Sequence, residues 1–385
     1  MKRIVVVGGG FAGFNAIKTL SKEGVTENNE VVLIDKSDYF VYLPSLPYLL
    51  SRKKTVEDLT ERLDKIAKRF DAQYIKGELS EVLLSEKKVK LSSGETLNYD
   101  FLILALGATT EFFNIPGAEN TIPSWRLPHY QTMLQLLEKK PERICVVGAG
   151  LTGVEVAGEL AEVLGPDKVT IVEKMPYVLP NLKNENASHE AEKILTKHGI
   201  KVVKGKGVTK VVDGKLILED GDKLECDMII WSVGIRAPNI RFDQKIPVRD
   251  RGWIVVEKNL QVQSCPEVFA VGDINCFAIN NDYAMKMAEE AILQGKIAGK
   301  NISKILKGEK PDIVHKPIFI TSKPRTLVSL GFNIGLLVWN GKVLAGNTPY
   351  MGKMLIEKMV MRDIKGEFLG DTLTSLESRV LKLIG

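Results

Sequence analysis

The sequence predicts an α/β chain with two doubly wound parallel-sheet units built to one plan, the first interrupted by the second, followed by a small α+β region. Three observations predict it. A continuous apolar run enters a glycine-rich turn and then a helical pattern twice, at residues 1–20 and 143–160. A 20-residue stretch downstream of each turn is repeated, and a late apolar run at residues 268–274 ends in Gly-Asp-Ile.

The first element is read from MKRIVVVGGGFAG, a buried strand from Arg3 followed by GxGxxG at Gly8, Gly10 and Gly13 and a helix over residues 14–20. The next strand, residues 30–34, ends in Asp35, 22 residues past the third glycine. RICVVGAGLTG repeats this arrangement with Gly148, Gly150 and Gly153, and its second strand, residues 168–172, ends in Glu173. Aligned without a gap, residues 88–107 and 215–234 agree at seven of twenty positions, among them Gly94 with Gly221, Asp100 with Asp227 and Gly107 with Gly234. Each copy reads as a hairpin with a glycine turn, then a buried strand returning to the sheet. Residues 116–141 carry four prolines and read as a connector with one helix over 130–139. A helix is expected over 284–306, short strands over 317–343 and amphipathic helices over 350–385. The expected domains are residues 1–112 with 246–316, residues 113–245, and residues 317–385.

Composition narrows the function. The 385 residues suit two or three domains, and 44% hydrophobic with 26% charged residues is too apolar for a disordered chain. The 53 basic and 48 acidic residues are spread without a like-charge block, so no nucleic-acid partner is expected. No apolar run, that at residues 335–339 included, approaches the roughly 20 residues that span a bilayer. The N-terminus enters a strand at Arg3 without room for a secretion signal, which points to the cytosol. Cys145, Cys226, Cys265 and Cys276 show neither CxxC nor metal spacing. A reduced compartment and no metal are expected, and Cys145 and Cys226 read as inert core residues.

The glycines explain themselves chemically. A pyrophosphate must be met by backbone amides: the first glycine permits the tight turn, the second leaves room for the anion, and the third lets helix and strand pack. The acidic residue about twenty positions on accepts hydrogen bonds from ribose hydroxyls. Two such units mean two Rossmann-like dinucleotide-binding domains, the first discontinuous. In the second, the Glu173 carboxylate favours NADH and repels the extra phosphate of NADPH, although Lys174 follows it.

With GGGFAG, LALGATT (residues 104–110), GAGLTGVEVAGEL, WSVGI (residues 231–235) and VFAVGD, the chain resembles the two-dinucleotide flavoproteins of the glutathione-reductase type over most of its length. The resemblance implies FAD in the first unit, because Asp35 asks for an adenosine ribose that FMN lacks. It also implies that Asp273, after Gly272, holds the ribityl and pyrophosphate region, with Lys36, Ala105, Gly107, Thr109 and Gly234 as further cofactor contacts. Thiol chemistry is disfavoured, since YFVYLPSLPYLL has Ser45 where coenzyme A disulfide reductases place a reactive cysteine. Residues 152–160, TGVEVAGEL, resemble the TGxExxGEL of type II NADH:quinone oxidoreductases, the non-proton-pumping NADH dehydrogenases of respiratory chains.

That resemblance implies Glu155 near the nicotinamide and a quinone pocket, able to relay a proton. The family's AQxAxQ stretch is here AEEAIL, residues 288–293, with Glu289 for the first glutamine and Leu293 for the second. Glu289 is therefore a second catalytic candidate and a departure from the pattern. The helix N-terminus at residues 286–288 would stabilise reduced flavin. Leu373, Leu376, Val380, Leu381, Leu383 and Ile384 beside Arg379 and Lys382, and Met354, Leu355 and Met359 beside Lys353, Lys358 and Arg362, read as stripes edged with bases. They imply peripheral attachment to the cytoplasmic side of the cell membrane, and a homodimer is compatible with the sequence. The rival readings are a sulfide:quinone oxidoreductase and an NADH-dependent reductase of a small soluble electron carrier.

Overall fold

The computed structural model describes residues 1–280 and 282–367. It divides into two compact units: Met1–Val41, Thr60–Thr109 and Ile235–Thr321 form one, and Tyr42–Leu59, Thr110–Gly234 and the described part of Ser322–Gly385 form the other.

The first unit is organised by a six-stranded sheet in the order Gln261–Val262, Cys265–Ala270, Phe101–Leu104, Arg3–Val7, Glu30–Asp35 and Gln73–Lys76. Its five longer strands run parallel. RIVVV, VVLI and LIL have no polar face to offer water, and Ile4, Val5, Val6, Leu33, Ile34, Leu102, Ile103 and Leu104 are all fully buried. The Phe11–Lys22 helix packs along the Ala288–Leu306 helix at a separation that only glycine allows. A Cβ on Gly295 would stand 2.1 Å from the Ala12 carbonyl oxygen, and one on Gly299 would stand 2.9 Å from Thr19 Cβ.

The second unit repeats the plan with a fully parallel five-stranded sheet, Ile122–Pro123, Met228–Trp231, Ile144–Val147, Val169–Glu173 and Lys201–Lys204. The Leu151–Leu164 helix follows the second glycine turn as Phe11–Lys22 follows the first. The repeated aspartates do the same work in each unit. Asp100 accepts the Arg3 N–H at 2.8 Å and Asp227 the Arg143 N–H at 2.9 Å, pinning the start of each central strand. A three-stranded antiparallel sheet, Thr326–Ser329, Gly335–Trp339 and Lys342–Gly346, precedes the Asn347–Lys365 helix.

Several expectations need correction. Cys145 and Cys226 are bonded to each other as a disulfide, with Cα atoms 5.9 Å apart across 81 residues of sequence. The strand pairing brings them together, because Cys145 lies opposite Ile229 and Cys226 leads into that strand, inside a core with Trp231, Val147 and Leu216. They are core residues, as read, but not free thiols, so cysteine usage gives no argument for a reduced compartment. The helix expected from residue 284 begins at Ala288, because Met287 is extended and Ala284 forms an isolated bridge with Ile320. The connector helix is Leu127–Leu137, with Pro128 in its first turn, where a missing N–H costs nothing. The stripe from Leu373 to Ile384 lies outside the described residues. Among the described residues no helix is long and apolar enough to cross a membrane, and no cluster could hold a metal ion.

Candidate cofactor cradles and a buried acid–base cluster

Each glycine turn has the shape its chemistry requires. Gly8 has φ +110° and Gly148 has φ +100°, in the region that favours glycine. A Cβ on Gly13 would lie 1.8 Å from the Gly8 carbonyl oxygen, and one on Gly153 would lie 1.9 Å from that of Gly148, so neither position admits another residue. The middle glycines differ: a Cβ on Gly10 would meet nothing within 4 Å, and one on Gly150 only Asn181 at 3.9 Å. Neither helix has a side-chain cap, which leaves its first-turn amides turned to that open space. This is an anion cradle, present twice.

The acidic partners are also placed alike. Asp35 accepts N–H groups from Gly9 at 2.6 Å and Ser37 at 2.8 Å, while Glu173 accepts them from Ala149 at 2.7 Å and Met175 at 2.8 Å. Each carboxylate thus fixes its glycine turn. Lys36, beside Asp35, is paired with Glu78 at 2.7 Å. Ala105 is buried against the first turn, where its carbonyl closes on Gly8, and Thr109 opens the short strand after Gly107. Gly107 and Gly234 both take positive φ, at +66° and +71°.

The Gly-Asp turn of the first unit rests on a buried polar network. Gly272 donates its N–H to Gln294 Oε1 at 2.7 Å, and Asn275 donates to the same oxygen at 2.6 Å. Loss of solvent raises the Asp273 carboxyl above its ordinary range, opposed by Lys286. Lys286 sits 4.5 Å from the centre of the Trp253 ring and donates to the Asn275 carbonyl, and burial brings its pKa down to about 8. Glu289, in the first turn of the Ala288–Leu306 helix, is half-buried. The fully buried carboxylate is its neighbour Glu290, which accepts the Ile318 and Phe319 amides and lies 2.7 Å from His315 Nε2. Gln294, the residue after Leu293, is the side chain that reaches the Gly-Asp turn.

In the second unit, Glu155 and Glu159 are both buried one turn apart on the Leu151–Leu164 helix. Glu155 is paired with Lys353 of the Asn347–Lys365 helix and accepts the Ser329 N–H at 3.0 Å. Glu159 accepts the Ser51 hydroxyl at 2.5 Å, the Ser329 hydroxyl at 3.3 Å and Lys53 at 3.0 Å. Burial pushes the Glu159 carboxyl up, against the pull of Ser51 and Lys53. Burial lowers the Lys53 ammonium, but its contacts with Glu162 and Glu159 outweigh this and hold it above the ordinary value. Between the two lysines lies the Tyr48 ring, 5.6 Å from Lys353 and 6.0 Å from Lys53. The buried Tyr48 hydroxyl lies beside Ser329 without a well-directed hydrogen bond, and burial, then Glu155, raises its pKa.

Sequence reasoning found Glu155 but not Lys353, Ser329, Ser51, Lys53 or Tyr48. Lys353 was expected on the basic edge of a membrane stripe and instead turns inward, its side chain only 12% exposed. Met351 and Leu355 of the same helix are exposed, beside exposed Lys358 and Arg362.

Two anion cradles, each closed by a carboxylate, define a pyridine-nucleotide-dependent flavoprotein. Residues 2–295 match the pyridine nucleotide-disulphide oxidoreductase family, and the chain belongs to it. It is an NADH-dependent flavin oxidoreductase with FAD and NADH as cofactors, and the open glycines fit both nucleotides. It is similar to a type II NADH:quinone oxidoreductase of Staphylococcus aureus, with 28% identity over 395 aligned positions covering 95% of this chain and 96% of the relative. Its fold is that of NDH2 from Plasmodium falciparum, solved with NADH (TM-score 0.81, 18% identity, 92% and 94% of the two chains). It also superposes on the sulfide:quinone oxidoreductase of the hyperthermophile Aquifex aeolicus (TM-score 0.79, 16% identity, 95% and 92%).

Proposed function

We propose that this protein oxidises NADH and reduces a membrane quinone without pumping protons, as a peripheral enzyme on the cytoplasmic face of the membrane. The observation that carries this reading is the pair of cradles combined with the buried acid–base cluster on the second unit's glycine-turn helix. FAD held in the first unit's cradle would supply the two-electron redox chemistry that links NADH to the quinone.

The chain's own residues have separable roles. Gly8, Gly10, Gly13, Asp35 and Asp273 hold the flavin nucleotide, with Gln294 fixing the turn that carries Asp273. Gly148, Gly150, Gly153 and Glu173 hold NADH and select it over NADPH. Glu155 holds the proton that quinol formation consumes, and Lys353 together with the Ser329 amide stabilises the carboxylate left behind. Cys145 and Cys226 take no part in this reading, because they are tied to each other in the core of the second unit. Met351 and Leu355, flanked by Lys358 and Arg362, suit a headgroup layer.

Anaerobic stopped-flow spectroscopy tests the proposal. NADH should bleach the flavin, sulfide should not, and a soluble quinone analogue should restore the oxidised spectrum. Bleaching by sulfide would favour the sulfide:quinone alternative. Reduction by NADH with no response to quinone would favour a reductase of a soluble carrier.

A further inference from the structure

The balanced reaction, NADH + H⁺ + quinone → NAD⁺ + quinol, draws one proton from solvent per turnover. Glu155 is buried and paired, so something must recharge it. On the proposed function, we infer that Glu159 is the acid that reloads Glu155, taking protons from the surface at Lys53 and Glu162 and passing them on through the Ser329 hydroxyl.

The geometry supports each part. Glu162 is 28% exposed and lies 2.7 Å from Lys53, and Lys53 lies 3.0 Å from the fully buried Glu159, so the acid is one residue from water. Ser329 stands between the two carboxylates, its hydroxyl on Glu159 and its amide on Glu155. A hydroxyl can accept one proton while donating another, and Ser329, with the neighbouring Tyr48 hydroxyl, supplies that function. The groups facing Glu159 are Tyr48, Ser51 and Lys53 from the Tyr42–Leu59 segment, Ser329 from its strand, Tyr350 from the Asn347–Lys365 helix, and Glu162 from its own helix, with Glu155 and Lys353 on the other side of Tyr48 and Ser329. Burial already favours its protonated form, as a proton store requires.

The duplicated unit supplies an independent argument. Counting from Gly13 and Gly153, Glu155 and Glu159 occupy the positions of Asn15 and Thr19. Asn15 merely donates to the Phe11 carbonyl of its own helix, and Thr19 packs beneath Gly299. The fold therefore does not require carboxylates at these positions.

The test compares the parent holoenzyme with Glu159→Gln, Glu159→Asp and Ser329→Ala, following reduction by NADH and reoxidation by a quinone analogue separately across pH. Glu159→Gln preserves size and hydrogen bonding but carries no titratable proton. It should still be bleached by NADH, yet be reoxidised by quinone roughly a hundredfold more slowly at neutral pH, with the deficit shrinking in acid. Small diffusible weak acids should restore its rate, whereas a defect of packing would not respond. Ser329→Ala should show the same rescue, and Glu159→Asp should keep most of the rate. Parental reoxidation in Glu159→Gln, or a loss equal at every pH and insensitive to weak acids, overturns the inference. A parent enzyme that quinone cannot reoxidise overturns the proposed function instead.

Discussion

Gly158 lies between the two carboxylates in VEVAGEL, and replacing it with alanine tests how the cluster is built. A Cβ at this position would stand 2.4 Å from both the carbonyl carbon and oxygen of Leu330 and 2.6 Å from the Gly331 nitrogen. Backbone atoms cannot move out of the way as a side-chain tip can. Carbon contacts are comfortable at about 3.5 Å, so helix and turn must part by about 1 Å. Overpacking of this kind costs about 1–3 kcal/mol, offset by about 1 kcal/mol of helix propensity gained when alanine replaces glycine. The net loss of up to about 2 kcal/mol should lower the melting temperature by up to roughly 8 °C for a unit of this size. The chemical consequence should be larger than the thermal one. Ser329 precedes the displaced turn, and its hydroxyl already reaches Glu159 at only 3.3 Å, so an ångström of retreat breaks that contact and strains the 3.0 Å amide bond to Glu155. Gly158→Ala should therefore retain flavin and NADH bleaching while losing most of its quinone-driven reoxidation in the same stopped-flow assay. An unchanged melting temperature together with a parental reoxidation rate would refute the claim that this contact sets the cluster.

Other predictions follow from the cradles, the disulfide and the exposed helix face. Gly10→Ala should fold but be isolated with little bound flavin, because its Cβ meets only the open space, whereas Gly13→Ala should fail to fold, with its Cβ 1.8 Å from a carbonyl oxygen; the ratio of flavin to protein absorbance in the soluble fraction checks both. Glu173→Gln should narrow the preference for NADH over NADPH by roughly five- to tenfold, on the order of 1 kcal/mol of charge interaction. It should also weaken both nucleotides, since Ala149 or Met175 loses a charged acceptor; an unchanged ratio of kcat/KM values would show that Glu173 does not read the ribose. Alkylation of the denatured, unreduced protein should label only Cys265 and Cys276. Replacing both Cys145 and Cys226 by serine should cost about 4.5 kcal/mol if loop closure over 81 residues sets the effect, which chemical denaturation can measure. Met351→Ser with Leu355→Ser, or removal of the residues beyond Leu369, should release the protein from anionic liposomes in a flotation assay while NADH still reduces a soluble dye.

What was legible in the sequence is what local geometry determines. A tight turn, a close helix and an anion cradle require three glycines within six residues, and the carboxylate that accepts the turn amide follows at the length of one helix and one strand. Both cradles, with Asp35 and Glu173, could therefore be located from spacing. The repeat of residues 88–107 at 215–234 was legible for the same reason, and the paired roles of Asp100 and Asp227 give it a physical cause. The cluster on the Leu151–Leu164 helix was only half legible. Glu155 stood out by resemblance, but its partner Lys353 is 198 residues away, and Ser51 is 108 residues from Glu159. Periodicity gave Lys353 a helical position without revealing what that position would meet. A lysine flanked by Met354 and Leu355 has the pattern of a membrane edge, and the same stem can carry its charge inward when a buried carboxylate waits there. Glu155 supplies that carboxylate, and Gly158 brings the Ser329 turn close enough to exclude solvent from the pair. The disulfide was hidden in the same way, because Cys145 and Cys226 become neighbours only once a parallel sheet sets two distant strands in register. In each case the missing information was the identity of the facing element, which depends on the tertiary path of the chain rather than on any local period.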